Sequence, residues 1–299
     1  MQPAIVIVGP TAVGKTDLSL DVAQEFSGEI INADSMQLYK GMDIGTAKLP
    51  VEQRRGVPHH MLDVLEVTQT ANVADYQRDA RIVINQLAQK SVRSIVVGGS
   101  GLFIQALLED MQFPGSDPEI RERLTQEAEE IGPEAIYQRL VDLDPQAAAN
   151  ILPGNTRRVI RALEVIELTG QAPVTTLQQL TEVVPSIRIG LKRDRADLDE
   201  RITARVELMW QQGFVSEVEQ LENQGIREGL TASKALGYAQ VLSALAGEIS
   251  LIEAKAQTIQ ATKRFARRQE SWFARDKKIH WLDAKGVTVE QVAQLVNKN

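Results

Sequence analysis

The chain has 299 residues, is 43% hydrophobic and carries a formal net charge of −7, which suits a globular protein of about two domain-sized units and excludes a uniformly basic surface. It has no cysteine and only three histidines, His59, His60 and His280; disulfides, thiolate zinc sites and a cysteine nucleophile are excluded, and any metal is expected to be Mg²⁺ on oxygen ligands. No apolar run approaches the roughly 18 residues of a membrane span and no signal peptide precedes the first strand pattern, so a cytoplasmic protein without a membrane partner is expected.

Ala4-Ile5-Val6-Ile7-Val8 reads as a buried strand. It runs straight into Gly9-Pro10-Thr11-Ala12-Val13-Gly14-Lys15-Thr16, which spells G-x-x-x-x-G-K-[ST]. In such a loop backbone N–H groups turn toward phosphate oxygens, Lys15 adds a point charge, and Thr16 offers its hydroxyl to Mg²⁺ at a helix N-terminus. Leu18, Val22 and Phe26 follow at one-turn spacing, completing strand, loop and helix. The loop itself leaves open whether it holds a nucleotide or the leaving group of another diphosphate. After the second strand pattern, Glu29 to Ala33, comes Asp34-Ser35-Met36-Gln37. Ligands of open α/β sheets lie beyond strand carboxyl ends, so Asp34 is expected near the loop, to accept a proton or bind metal. A helix N-cap or turn aspartate is the ordinary alternative. Lys40 to Lys48 is glycine-rich and polar and is expected to wrap a ligand rather than pack inside.

Val57 to Val64 reads as strand or extended chain, about Asn72 to Gln89 as helix, and Ser94 to Val97 as strand. An NTPase would place a metal-binding acid after that last strand, whereas this chain has Gly98-Gly99-Ser100-Gly101. These glycines suit either close approach of substrate or tight helix–strand packing. From Asp117-Pro118 to about Pro185 the pattern is helical, punctuated by Gly132-Pro133, Asp144-Pro145 and Gly170. Ser186 to Leu191 alternates as a returning strand, Ser250-Leu251-Ile252-Glu253 opens a long helix to about Asp276 with a capping box, and Ile279 to Leu282 reads as a last strand. The expected fold is therefore α/β, a P-loop NTPase-like parallel sheet core (residues 1–116) with a helical insertion (117–185) and a return to the core followed by a mostly helical C-terminal part (186–299).

Basic residues gather late. Lys263 to Lys278 holds seven Lys/Arg against two acids, with Lys263/Arg267 and Arg264/Arg268 at helical i,i+4 spacing, a stripe able to follow a phosphate backbone or simply a solvated helix face. Arg157-Arg158-Val159-Ile160-Arg161 in the insertion carries the same two readings.

Taken together, the phosphate loop, Asp34-Ser35-Met36-Gln37-Leu38-Tyr39 running into Gly41 to Lys48, Pro58-His59-His60, Gly98 to Leu102, Asn155 to Glu164, Gly237-Tyr238 and Ala266-Arg267-Arg268-Gln269 resemble the bacterial tRNA dimethylallyltransferases, also called tRNA isopentenyltransferases. The resemblance covers nearly the whole chain. It implies transfer of a dimethylallyl group from dimethylallyl diphosphate to the exocyclic amine of the adenine just 3′ of the anticodon, assisted by Mg²⁺, by an enzyme expected to act as a monomer. It makes Asp34 the general base and gives Thr11 and Arg201 the diphosphate. It assigns the tRNA anticodon stem-loop to Asp34, Ser35, Met36, Gln37, Ser100, Arg121, Arg157, Arg158, Val159, Ile160, Arg161, Lys234, Gly237, Tyr238, Lys263, Arg264, Arg267 and Arg268. The adenine has to leave its stack to react.

Six positions depart from the family pattern: Ser100 stands for threonine, Phe103 and Phe265 for tyrosine, Ala239 for a basic residue, Arg193 for proline and Asp199 for tyrosine. Rival readings are a small-molecule P-loop kinase, which would use ATP, an adenylate isopentenyltransferase acting on free nucleotides, and an RNA-binding module with a vestigial loop. The missing strand-end acid speaks against the first, the insertion and the basic stretch against the second, and the presence of Lys15, Thr16 and Asp34 against the third.

Overall fold

A computed structural model describes residues 2–170 and 180–298. In chain order its elements are β1 (Ala4–Val8), α1 (Lys15–Glu25), β2 (Gly28–Asn32), β3 (His59–His60), α2 (Val73–Gln89), β4 (Arg93–Gly98) and α3 (Gly101–Leu108); then α4 (Pro118–Ile131), α5 (Pro133–Leu143), α6 (Pro145–Ala149) and α7 (Thr156–Thr169); and finally β5 (Ser186–Lys192), α8 (Arg195–Gln211), α9 (Phe214–Asn223), α10 (Tyr238–Leu245), α11 (Leu251–Phe273), β6 (Ile279–Asp283) and α12 (Val289–Asn297). Two compact units result, Met1–Glu109 with Glu182–Asn299, and Asp110–Thr181. The helical pattern read through residues 171–179 lies outside the described residues.

The larger unit is built on one six-stranded sheet in the order β3-β2-β4-β1-β5-β6, with every pairing parallel. Parallel strands are covered on both faces, which is why β1 is apolar at all five positions. Its alternate residues supply two cores: Val6 and Val8 pack with Ile31, Val96, Phe103 and Leu107 on one face, while Ile5 and Ile7 pack with Ile30, Ile95, Ile189 and Leu198 on the other. The α/β parallel architecture expected from the sequence is the one observed. The extended segment expected from Val57 to Val64 pairs only at His59 and His60. Met61 and Asp63 take left-handed backbone angles (φ 59° and 56°), which no strand tolerates.

Lys40 to Lys48, expected to wrap a ligand rather than pack inside, is anchored by two buried residues, while Lys40, Gly41 and Asp43 are exposed and Ile44 to Ala47 half-buried. Met42 is fully buried, as is most of Lys48, whose ammonium donates to Tyr39 O (2.8 Å), Asp43 Oδ1 (2.6 Å) and Asp63 Oδ1 (2.6 Å). Glu217 of α9 accepts the N–H groups of Asp43, Ile44 and Gly45. The polar residues that made the segment look ligand-facing satisfy one another.

The smaller unit is a helical cluster. Asp117 caps α4, accepting from Glu119 N (2.9 Å) and Ile120 N (3.3 Å), and Pro118, Pro133 and Pro145 occupy first-turn positions of α4, α5 and α6. Leu124, Ile136, Leu140, Val159 and Leu163 form its core. Glu164 is buried beside that core, accepting from Arg121 (2.8 Å), Arg161 (2.9 Å) and the Asp117 N–H (3.0 Å). Burial pushes its carboxyl up, but these hydrogen bonds prevail and hold it below the usual carboxylate range.

Candidate active site

The carboxyl ends of β1, β2 and β4 converge on the phosphate loop. Gly9 (φ 147°) and Gly14 (φ 114°) make its bends, and Ala12 at its crest also has positive φ, 63°. Lys15 Nζ spans the loop, donating to Gly9 O (2.9 Å) and Pro10 O (2.8 Å). Two side chains of α8 reach the crest: Arg201 Nε donates to Ala12 O (2.9 Å) and Arg205 to Thr11 Oγ1 (3.3 Å). Ala12, Arg201, Ala204, Arg205 and Leu208 line a cavity of about 250 Å³. Its lining mixes two guanidinium groups with apolar side chains, a combination that suits a ligand with an anionic head and a hydrocarbon part.

Asp34 follows β2 directly. Its Oδ1 accepts the Met36 N–H at 2.9 Å, so it is a turn aspartate, and it also feels the charges of Lys15 and Arg205. The turn aspartate is thus observed, and it stands among cations. Burial pushes its carboxyl up, against hydrogen bonding by Met36 and attraction to Lys15. Burial likewise pushes the Lys15 ammonium down to about 7, with Arg205 adding to the shift and Asp34 opposing it. A carboxylate and an ammonium with displaced titrations share one cleft, a combination that singles the cleft out as the candidate site. Beside Asp34, Ser100 Oγ accepts the Ser35 N–H (3.1 Å) and donates to Ser35 Oγ (3.3 Å).

The glycine turn after β4 is explained by packing. A Cβ at Gly98 would lie 2.2 Å from Ala33 O, and one at Gly99 2.1 Å from Gln269 Nε2. Gln269, on α11, donates that amide to Gly99 O (3.0 Å) and accepts the Thr11 N–H (2.9 Å) on its carbonyl. Arg205 and Gln269 are the site residues that sequence reasoning passed over. Arg205 lies one helical turn beyond Arg201, a spacing that places both on one face and was available as a signal.

Thr16, the second residue of α1, is exposed. Among the described residues no group of three or more acidic or histidine side chains is gathered to hold a metal. A divalent cation at Thr16 would therefore draw most of its oxygens from a bound diphosphate and water, the donor set that Mg²⁺ prefers.

Residues 37–276 match the IPP transferase family. The tRNA dimethylallyltransferase of Thermobifida fusca (strain YX) is 58% identical over 287 residues, covering 94% of this chain and 90% of the relative. That of Streptomyces coelicolor is 56% identical, covering 93% and 89%. This chain belongs to the IPP transferase family. Among solved IPP transferase relatives, the full-length tRNA isopentenylpyrophosphate transferase of Bacillus halodurans superposes with TM-score 0.74 at 35% identity, over 100% of this chain and 95% of that one. A eukaryotic dimethylallyltransferase, caught in crystallographic snapshots acting on tRNA, superposes with TM-score 0.82 at 27% identity, over 100% and 77%.

Within this IPP transferase the residues expected to meet tRNA divide by exposure. Arg157, Arg158, Lys234, Arg264, Arg267 and Arg268 are exposed, and Ser35, Met36, Gln37, Ser100 and Lys263 half-buried. Val159 and Ile160 are 0% and 8% exposed, packed in the helical core; their expected tRNA contact is corrected, because the helix turns them inward between arginines. Tyr238 is corrected likewise. It is 1% exposed, stacked edge-on against Phe214 and donating to Glu217 Oε1 (2.6 Å), and neighbouring Gly237 is also buried. Arg121 and Arg161 are held by Glu164, and Arg161 also donates to Pro114 O and Gly115 O.

Of the departures from the family pattern, Ser100 keeps its hydroxyl in use, and Phe103 packs its ring against Tyr76 at 4.5 Å. Phe265 lies beneath the guanidinium of Arg268 at 5.7 Å. Asp199 pairs with Arg195 (2.6 Å) and stands 3.9 Å from Arg267, trimming the positive charge of the α11 stripe.

Proposed function

We propose that this protein transfers a dimethylallyl group from dimethylallyl diphosphate to the exocyclic amine of the adenine just 3′ of the anticodon in tRNA. The reading rests on Asp34, a carboxylate beside a phosphate loop whose cations are Lys15, Arg201 and Arg205 and whose neighbouring strand end carries glycines in place of a metal-binding acid. Its family relatives named above act on tRNA or carry that activity in their names. The loop amides and Lys15 bind the diphosphate, and Arg201 and Arg205 face its departing charge. The adenine amine attacks the allylic carbon while the carbon–oxygen bond to diphosphate breaks, and Asp34 takes the amine's proton. Thr16, together with oxygens of the bound donor, would hold Mg²⁺, which would supply further neutralisation of the leaving group. In the larger unit the exposed cations Lys234, Arg264, Arg267 and Arg268 are read as tRNA contacts; in the helical unit, taken by itself, Arg157 and Arg158 are read the same way. We read the enzyme as a cytoplasmic monomer; among the described residues no helix is long and apolar enough to cross a membrane.

Incubation with unmodified tRNA and labelled dimethylallyl diphosphate, with ATP as competitor, tests the reading. Label in tRNA at that adenine is expected. Label in free adenine nucleotides, or phosphoryl transfer from ATP, rejects it in favour of the nucleotide transferase or the kinase.

The α11 stripe gives an independent check. Arg267→Ala with Arg268→Ala is expected to weaken tRNA binding and to shallow the slope of log affinity against log salt by up to about 0.7–0.9 per lost phosphate contact. Donor binding survives. An unchanged slope in a folded double variant moves the contact to other cations, Arg157 and Arg158 first.

A further inference from the structure

Gln269 projects from the C-terminal part of α11 into the space between the two glycine turns, and it is 5% exposed. Both halves of its amide are committed: the carbonyl to Thr11 N–H of the phosphate loop, the Nε2 to Gly99 O of the β4 turn. The absence of a side chain at Gly99 is what admits it, since a Cβ there would stand 2.1 Å from Nε2. A buried amide satisfied at both ends cannot rotate without leaving two polar groups unmet.

We infer that Gln269 is a positioning residue for prenyl transfer, pinning the crest of the phosphate loop in the shape that accepts the donor's diphosphate. The inference rests on the prenyl-transfer reading above. Three observations carry it. Thr11 gives its N–H to Gln269, and its hydroxyl meets Arg205 (3.3 Å); fixing the amide therefore fixes where that hydroxyl lies. The next residue, Ala12, is a non-glycine at φ 63°, a strained conformation that persists where neighbours over-determine it. Arg201 holds its carbonyl from α8 (2.9 Å) and Gln269 holds the preceding residue from α11, so the strained residue is bracketed by two helices. Finally, the β4 turn that Gln269 grips is tied to the strand carrying the base, Ser100 N donating to Ala33 O at 3.2 Å. One side chain thus ties the donor loop to the turn that also holds Ala33, the neighbour of Asp34.

Two variants separate positioning from mere support. Gln269→Met keeps the volume and loses both hydrogen bonds. Gln269→Glu keeps an acceptor for Thr11 but sets a carboxylate against Gly99 O, and only the protonated acid can restore the second bond. Steady-state transfer is measured with dimethylallyl diphosphate and unmodified tRNA, together with tRNA affinity, melting temperature and calorimetric binding of inorganic diphosphate. A misplacement of about 1 Å costs on the order of 100-fold in rate. Gln269→Met is accordingly expected to raise donor KM and weaken inorganic diphosphate by about tenfold and to lower kcat by roughly 10- to 100-fold, with tRNA affinity preserved. Gln269→Glu, normalised to wild type at each pH, is expected to regain rate as pH falls. Wild-type kcat and KM in a folded Gln269→Met protein of lowered melting temperature overturn the inference, and so does a pH-independent ratio for Gln269→Glu. If Gln269→Met does not fold, that ratio decides alone. If the wild type moves no label into tRNA, the prenyl-transfer reading fails, while the inorganic diphosphate affinities still test what Gln269 does to the loop.

Discussion

Asp34→Asn is expected to lower turnover by about two to four orders of magnitude, the usual worth of a general base, with little change in tRNA affinity. The substitution is nearly isosteric. It can keep the acceptor that receives the Met36 N–H by presenting its amide oxygen there, so the turn survives while the proton acceptor is lost. Single-turnover rates with saturating donor and tRNA isolate the chemical step. A near-wild-type single-turnover rate removes Asp34 from the chemistry and leaves it the turn aspartate that its geometry also describes. Because burial pushes this carboxyl up, it keeps its proton to a higher pH than an ordinary aspartate. The wild-type rate therefore falls as pH drops through that raised value, and Asp34→Asn lacks this acid limb.

Lys15→Ala produces the second large effect, in binding of the donor. A hydrogen bond to a charged group contributes about 1.5–3 kcal/mol, so dimethylallyl diphosphate is expected to bind roughly 10- to 150-fold more weakly, with tRNA binding largely intact. Equal loss of both ligands shows that the loop is not the donor site. The pH dependence has its own sign. An ammonium held down to about 7 loses its charge as pH rises through that value, so donor kcat/KM in the wild type declines on the alkaline side, and this decline is absent from Lys15→Ala. Together the two groups give a bell, its acid limb owned by Asp34 and its alkaline limb by Lys15.

What the sequence made legible follows a single physical line: features written in contiguous residues could be read, and features made by distant partners could not. β1 showed as an unbroken apolar run because a central parallel strand is buried on both faces. The loop after it has fixed spacing, and α11 declared its start through the Ser250/Glu253 capping box, which forms as read. Gln269 did not declare its role, since its partner Thr11 lies 258 positions away. Arg205 reaches Thr11 across 194 positions, although its helical offset from Arg201 held a clue. In Lys40 to Lys48 the burial of Lys48 was not legible, because a lysine paired with two aspartates reads, residue by residue, like polar chain free to wrap a ligand. Val159 and Ile160 misled because they sit among basic residues in the text, whereas the 3.6-residue period divides α7 into an inward and an outward face.

β1 carries one more consequence. It is an inner strand, hydrogen-bonded along its length to β4 on one side and β5 on the other, and the phosphate loop grows from its end without a spacer. Local fraying therefore cannot release the loop's base; only opening of the whole sheet can, so the amides of Ala4 to Val8 belong with the slowest to exchange with solvent. A ligand bound at such a place reports on the entire unit. At a hundredfold excess over its dissociation constant it adds about 2.7 kcal/mol to unfolding, making occupancy of the loop a brace for the larger unit.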